Sequence, residues 1–316
     1  MMRRATTGGL SSVVRGITLP STRAAWLSTQ TLDIGKLTVE RTTSPSVMPP
    51  KEDLVFGRTF SDHMLECDWD AKNGWHAPRI VPYHDLTISP AALVLHYALE
   101  CFEGMKAYKD ANGDVRLFRP DCNMERLNGS LSRLYMPQVD GDVLTECIKE
   151  LLRVDAEAIP VGEGYSMYLR PTAIATTPFL GVAPSTEVKV FVIMSPVGPY
   201  YDEGFKPIKL YADAENVRAW PGGVGNAKLG GNYGPTIAPQ MAAAKHGCAQ
   251  ILWLWENQGE HYATEVSFLS FPLPLIPPSH PTLSSRLIGR VHEHLLRRRP
   301  GGRRGPRASN SSSGPG

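Results

Sequence analysis

The chain has 316 residues, of which 42% are hydrophobic and 20% are charged, and its net charge at pH 7 is +2. This balance is typical of a globular protein with room for two domains and a sizeable core. So small a net charge gives no general attraction to nucleic acid or to acidic surfaces. Because no run of 18 apolar residues occurs, we predict no membrane-spanning segment.

The N-terminal segment is basic and rich in serine and threonine, and it contains no acidic residue before Asp33. Its arginines are Arg3, Arg4, Arg15 and Arg23. This composition is typical of a mitochondrial transit peptide, and the alternative is a disordered basic tail. A secretory signal fits less well, because no unbroken apolar stretch follows the arginines. We therefore predict a transit peptide and disordered leader over residues 1–50, and a location in the mitochondrial matrix.

The cysteines are scattered and form neither a CxxC motif nor a Cys/His spacing that would bind a metal. They are Cys67, Cys101, Cys122, Cys147 and Cys248. We expect reduced thiols that pack mostly as small apolar side chains, and we predict no metal site.

Residues 51–196 alternate between strand and helix patterns, which predicts a small α/β domain. Asn112-Gly113 marks the turn of a hairpin, and Pro90 opens an apolar helix. The predicted elements are strands over 59–69 and 79–88, a helix over 90–101, a hairpin over 105–119, helices over 120–134 and 142–154, and strands over 165–170 and 188–195.

A second pattern begins after a turn-rich stretch near residue 200. It contains a strand from Ile208, a glycine-rich loop, a helix over about 235–246 and a hairpin that ends at Val266. Pro239 is awkward inside that helix, since proline has no N–H to donate, unless the helix begins late. We predict a partial large domain over 197–266. Residues 267–316 are rich in Pro, Arg, Gly and Ser, and this composition predicts a disordered tail.

The glycine-rich loop GGVGNAKLGGNYGP spans residues 222–235 and surrounds a single lysine, Lys228. Glycines allow a backbone to approach a bound group closely, and a lysine held there can act as a covalent nucleophile. The alternative from glycine content alone is a flexible loop with a solvated lysine. The loop lacks the GxxxxGK[ST] pattern of a nucleotide-binding P-loop.

The segment from Lys228 to Pro235, KLGGNYGP, resembles the cofactor-lysine segment of branched-chain amino-acid aminotransferases, which are fold-type IV enzymes using pyridoxal 5′-phosphate (PLP). The resemblance extends over residues 54–266 and includes LHYALECFEGMKAY, SMYLRP, SPVGPYY and LWLWENQGEHYATEV. The transit-like N-terminus makes the mitochondrial type the closer match.

The resemblance implies four cofactor contacts. Lys228 matches the lysine that holds PLP covalently and moves a proton during catalysis. Tyr233 matches the tyrosine that donates a hydrogen bond to the phenolic oxygen of PLP. Glu265 matches the carboxylate that contacts the pyridine nitrogen. Arg126 matches a phosphate-binding arginine.

The resemblance also implies a substrate pocket whose aromatic wall accepts a branched aliphatic side chain. Lys106 and Arg170 match basic residues near its entrance, and Arg170 is expected to help bind the second carboxylate of 2-oxoglutarate. Without the resemblance, the aromatic residues would be interpreted as ordinary core. The residues of the wall are Phe56, Tyr97, Phe102, Tyr168 and Tyr200.

The fold implied is α/β: a small α+β domain and an incomplete large domain of the fold-type IV aminotransferase kind, with PLP in the cleft between them. The activity implied is transamination of leucine, isoleucine and valine with 2-oxoglutarate. Members of the family work as homodimers.

The sequence departs from the family after Val266, where Ser267 and Phe268 replace a Gly-Thr-Met-Asn-type segment. The expected consequence is poor solubility or lost activity, because apolar faces would be left uncovered. The alternative hypothesis is therefore a non-catalytic chain that at most associates with full-length subunits. A basic-tailed binding protein is a third interpretation, supported only by the arginines of 297–307.

Overall fold

The computed structural model describes residues 31–199 and 207–266, which divide into two compact units. The first unit comprises residues 31–199 and 227–231, and the second unit comprises 207–226 and 232–266. The predicted transit peptide, the tail after Val266 and Tyr200 lie outside the described residues. The short Lys228 segment thus joins the first unit, although the rest of its loop lies in the second.

The described part of the first unit is a mixed α/β structure, as predicted. Its strands are β1 (Thr38–Val39), β2 (His63–Asp70), β3 (Gly74–Trp75), β4 (Arg79–Pro82), β5 (Glu100–Phe102), β6 (Met105–Lys109), β7 (Val115–Leu117), β8 (Ser166–Ala175) and β9 (Glu187–Val197). Its α-helices are α1 (Leu93–Tyr97), α2 (Pro120–Arg133) and α3 (Gly141–Val154).

These strands form one sheet with the order β1-β4-β2-β9-β8-β6-β7, to which β3 adds beside β2 and β5 beside β8. All pairs are antiparallel except β1 with β4. The predicted hairpin is confirmed as β6 and β7, and Gly113 in its turn has a φ of +89°.

One face of this sheet forms the core. Alternate residues of β8 and β9, such as Met167, Leu169 and Met194, are fully buried on that face. Helix α3 packs on β2 and on α2 and buries Ile148 and Leu151. Tyr168 and Arg170 alternate with Met167 and Leu169 along β8. They are half-buried and lie on the opposite face of the sheet. That opposite face is where most of the candidate site is found.

The second unit contains β10 (Leu210–Asp213), α4 (Ile237–Lys245), β11 (Gln250–Asn257) and β12 (Glu260–Val266). Its sheet has the order β10-β11-β12, with β10 parallel and β12 antiparallel to β11. Helix α4 begins late, at Ile237, so Pro239 falls in the first turn, where its missing N–H costs no hydrogen bond. Ala243, Cys248, Ile251 and Trp253 form a small buried cluster.

Two sequence predictions for the first unit are corrected. The helix expected over 90–101 is only the five residues of α1, because Ala98 adopts a left-handed conformation (φ 49°) and the chain continues as β5. The leader expected up to residue 50 is also too long. The N–H of Thr42 donates to His63 Nε2 at 2.9 Å, and β1 pairs with β4. Strand β1 has only two residues, which is too short to show the alternation of apolar and polar residues from which a strand is predicted.

The cysteines are free thiols, as expected. Burial raises the pKa of Cys101 to about 12 and that of Cys147 to about 11, and it raises the pKa of Cys67 further. These three thiols are therefore protonated and unreactive near neutral pH. Within residues 31–199 and 207–266, no helix is long and apolar enough to cross a membrane, and no cluster of metal-ligating residues occurs.

Candidate active site

The backbone of Lys228 is fixed on both sides within the first unit. Its N–H donates to Ser130 Oγ of α2 at 2.9 Å, and its carbonyl accepts from the N–H of Phe102 at 3.1 Å. The neighbouring side chains of Ala227 and Leu229 are buried, and Leu229 forms a β-bridge with Cys101. Lys228 is therefore held like a strand residue, which argues against the alternative of a flexible loop.

Residues 102–104, here called the FEG segment, contact three parts of the predicted site. The N–H of Phe102 donates to the carbonyl of Lys228. The carboxylate of Glu103 accepts hydrogen bonds from Arg126. Gly104 lies so close to Tyr168 that a Cβ at this position would be 2.4 Å from the Tyr168 hydroxyl. Three consecutive residues thus position three side chains of the site.

The Lys228 amine contacts an aromatic cluster on the opposite face of the sheet from the core. Lys228 Nζ lies 4.8 Å from the centre of the Phe102 ring, and the Arg170 guanidinium lies 4.5 Å from the same ring. Arg170 Nη2 donates to the Tyr168 hydroxyl at 2.9 Å, and Phe56 packs edge-on against Tyr168 at 4.9 Å. The structure thus brings these five predicted residues together.

The remaining substrate-pocket predictions have different outcomes. Lys106 lies directly across from Tyr168 in the β6–β8 pairing, so its side chain shares the face of the aromatic cluster. Tyr97 is at the end of α1, and its hydroxyl donates to the carbonyl of Leu180 in the loop between β8 and β9. Tyr200 is not among the described residues.

Arg126 is on α2, and its side chain is about half exposed. Its Nε donates to Glu103 Oε1 at 2.6 Å and its Nη2 donates to Glu103 Oε2 at 2.7 Å. The first unit thus presents four cations, Lys106, Arg126, Arg170 and Lys228, with one fully buried acid, Glu103. Such a group of cations attracts anionic ligands.

The other two predicted cofactor residues lie in the second unit, on either side of Arg218. The guanidinium of Arg218 lies 5.3 Å from the centre of the Tyr233 ring, and its Nη2 is 3.8 Å from Glu265 Oε2. Arg218 is buried, and its Nη1 has no hydrogen-bond partner within the described chain. A Cβ on Gly225 would lie 2.3 Å from Ala219 Cβ, so only glycine leaves room there.

Sequence reasoning did not identify Ser130, Glu103 or Arg218. The signal for Glu103 was an acid inside an otherwise apolar segment, and the signal for Arg218 was a cation immediately before the glycine-rich loop. Ser130 carried no signal, because a serine inside a helix is common on any surface.

Each unit carries side chains whose chemistry fits the group that the resemblance implies. In the first unit, the amine of Lys228 and the guanidinium of Arg126 are of the types that suit the aldehyde and the phosphate of PLP. In the second unit, the phenol of Tyr233 and the carboxylate of Glu265 are of the types that suit its phenolic oxygen and its ring nitrogen. The buried and unpartnered Arg218 Nη1 is a second observation in favour, since a buried cationic donor usually has an acceptor.

Two glycine substitutions test the close packing of the FEG segment. In Gly104→Ala the new methyl group would collide with the Tyr168 hydroxyl, so we expect a loss of about 1–3 kcal/mol in the free energy of unfolding. Gly129→Ala is the matched control, because no atom lies within 4 Å of its Cβ position in α2. There we expect a gain of about 0.5–1 kcal/mol from helix propensity. Urea unfolding measures both, and equal effects of the two substitutions would contradict this packing.

Several known proteins are similar to this chain. A branched-chain-amino-acid aminotransferase of Monosiga brevicollis is 53% identical over 240 residues, which are 76% of this chain and 61% of that protein. The mitochondrial enzyme of that name from Saccharomyces cerevisiae is 49% identical, over 71% of this chain and 57% of its own length. The cytosolic yeast enzyme is 46% identical, over 71% and 60%. The chain therefore spans about three fifths of the length of these relatives.

Among solved structures, the Escherichia coli branched-chain amino acid aminotransferase is similar, with 24% identity, a TM-score of 0.49, and coverage of 61% of this chain and 59% of that one. The family model of amino-transferase class IV matches residues 100–268, more than half of the chain. The match begins at β5 and includes the FEG segment, Tyr168 and Arg170 of the aromatic cluster, Lys228, Tyr233 and Glu265, but not Phe56. This chain belongs to the class IV amino-transferase family.

Proposed function

We propose that this chain is built for PLP-dependent transfer of the amino group of leucine, isoleucine or valine to 2-oxoglutarate, which gives branched-chain 2-oxo acids and glutamate. The observation that carries the proposal is the placement of Lys228. Its backbone is fixed by Phe102 and Ser130, and its amine lies on an aromatic cluster beside Arg170. Relatives with about 50% identity are named branched-chain-amino-acid aminotransferases, which supports the proposed substrate class.

The amine of Lys228 would hold the cofactor covalently in the resting enzyme and, once displaced by substrate, would move the proton from the substrate Cα. A fixed backbone on both sides of Lys228 restricts the reach of this amine, which favours transfer between two close positions. The cofactor supplies an electron sink for the carbanion that is left when the Cα proton departs.

The other proposed cofactor residues act by charge and hydrogen bonding. Arg126 would bind the phosphate, Tyr233 the phenolic oxygen and Glu265 the pyridine nitrogen. A carboxylate at the nitrogen keeps the ring protonated. Support for this role of Glu265 comes from Arg218, whose guanidinium lies 3.8 Å away and can orient the carboxylate.

The aromatic cluster supports the proposed substrates. The rings of Phe56, Phe102 and Tyr168 offer apolar surface to a branched aliphatic side chain. Arg170, supported by Tyr168, offers a cation to the distal carboxylate of 2-oxoglutarate or glutamate. One pocket would thus accept both substrates of the reaction by different contacts.

Replacement of the lysine tests the proposal directly. We expect the purified chain with PLP to show the visible absorbance band of a lysine-bound cofactor, and borohydride to fix the cofactor to the peptide that contains Lys228. In Lys228→Ala we expect neither signal, and amino transfer from leucine to 2-oxoglutarate slower by about 100-fold or more, since a positioned proton-transfer group contributes that much.

Lys245→Ala is the matched control, because Lys245 is an exposed lysine on α4. We expect it to keep both signals. A chain that shows no band and no labelled lysine would contradict the proposal and would favour the alternative of a non-catalytic chain.

We also propose that two copies associate through an apolar patch of the first unit. The side chains of Leu180 and Val182 are 63% and 81% exposed. Phe179 precedes Leu180 in the chain, and the Tyr97 hydroxyl donates a hydrogen bond to the Leu180 carbonyl. Leu180→Asp is expected to weaken dimerisation by at least about tenfold, because an apolar side chain of this size contributes 1.5–3 kcal/mol when buried. Sedimentation velocity measures the dimer fraction. Val47→Asp, at another exposed valine, is the control, and an equal shift in both variants would contradict the patch.

We propose a mitochondrial location on the basis of the arginine-rich, acid-free N-terminal segment. Relatives from both mitochondria and cytosol match at similar identity, so relatedness alone does not decide between them. We expect residues 1–50 to direct a fused fluorescent protein to mitochondria, and substitution of the four arginines by glutamine to abolish import. Unchanged cytosolic fluorescence of the unsubstituted fusion would contradict this location.

A further inference from the structure

Glu103 is a carboxylate with no exposure to solvent. Its own N–H donates to the carbonyl of Pro171 at 2.7 Å, which fixes its backbone beside β8. Burying a carboxylate in this way is costly unless hydrogen bonds and an opposite charge compensate for the lost water. The partners of Glu103 therefore indicate what the buried charge does.

Three residues donate hydrogen bonds to the Glu103 carboxylate. Arg126 donates from Nε to Oε1 and from Nη2 to Oε2, and Asn123 Nδ2 donates to Oε2 at 2.8 Å. The N–H of Gly104 adds a longer contact of 3.3 Å. The two parallel bonds from Arg126 fix the plane of its guanidinium as well as its position.

The ion pair is asymmetric in its burial. The Glu103 side chain is 0% exposed, whereas the Arg126 side chain is 52% exposed. An ion pair buried on both sides would leave no part of the guanidinium accessible to a ligand. Here the acid holds one edge of the guanidinium from inside the protein, and the rest of the group remains accessible from outside.

Helix α2 connects this pair to the catalytic lysine. Ser130, whose hydroxyl accepts the N–H of Lys228, is four residues after Arg126 on the same helix. One helical turn rises about 5.4 Å, so the two residues lie on one face at a fixed separation. A guanidinium held still by Glu103 would thus be held at a defined distance from the Lys228 backbone.

We propose that Glu103 is a positioning residue that holds Arg126 in the orientation in which it binds the cofactor's phosphate; this rests on the proposed function. Glu103 does not touch the cofactor. It acts by fixing one edge of the guanidinium, so that the N–H groups of the other edge meet a phosphate without first losing rotational freedom. The cofactor's phosphate, and not its ring, is therefore the group whose binding depends on Glu103.

The test compares two ligands that differ only in the phosphate. PLP and pyridoxal both carry the aldehyde that reacts with Lys228, and dissociation constants for both are measured from the visible absorbance of the full chain. In Glu103→Gln we expect the affinity for PLP to fall about 10- to 100-fold, the range for a lost hydrogen bond to a charged group. We expect the affinity for pyridoxal to stay within about twofold.

Glu103→Asp keeps the charge but withdraws the carboxylate by one methylene, so it tests the proposal even if Glu103→Gln does not fold. The same phosphate-specific loss is expected. Glu150→Gln is the matched control, because Glu150 is an exposed carboxylate paired with Arg153 on α3, and neither affinity should change.

Equal losses of PLP and pyridoxal in both Glu103 variants would show a merely structural role and overturn the proposal. So would tighter PLP binding by Glu103→Gln, which is expected if Glu103 only neutralises the charge of Arg126. In both cases the unsubstituted chain still binds PLP through Lys228, so the proposed function stands. If the unsubstituted chain binds neither ligand, both proposals fail.

Discussion

The hydrogen bond from the N–H of Phe102 to the carbonyl of Lys228 connects the lysine of the proposed site to the main sheet. Residues 227–231 are separated by more than twenty residues from the end of the described first stretch of chain, yet they belong to the first unit. The bridge between Cys101 and Leu229 and the bond to Ser130 add to this attachment. Each of these contacts gives a hydrogen-bond partner to a backbone N–H or C=O group that would otherwise be buried without one.

The FEG segment explains how a small number of residues can organise a whole site. Its backbone is held by β8 and by the Lys228 segment, so its side chains have little freedom. The Phe102 ring contacts two cations, the Glu103 carboxylate orients a third, and the missing side chain of Gly104 admits the Tyr168 hydroxyl. Positioning residues on rigid elements in this way is what catalysis by orientation requires.

The sequence predicted the elements of this fold wherever a periodic pattern was long. The amphipathic pattern of 142–154 corresponds to α3, the Asn112-Gly113 turn to the β6–β7 hairpin, and the alternating residues 188–195 to β9. It failed where the element was short or its end depended on tertiary contacts. Residues 100–102 continue a helix-capable segment, but they form β5 because β8 offers a hydrogen-bonding edge.

The sequence by itself determined the family and the residue types of the site, because the motifs around Lys228, Tyr233 and Glu265 occur in a fixed order along the chain. Through the resemblance it also predicted the aromatic character of the proposed substrate pocket, with Phe56, Phe102 and Tyr168 in its wall. Only the tertiary structure decided which groups hold the site residues: Ser130 and Phe102 for Lys228, Glu103 for Arg126, and Arg218 beside Glu265. Glu103 and Arg126 are 23 residues apart in the chain, Ser130 and Lys228 are 98 apart, and Phe102 is still farther from Lys228. Such pairings follow from strand register and helix packing, which no local pattern encodes.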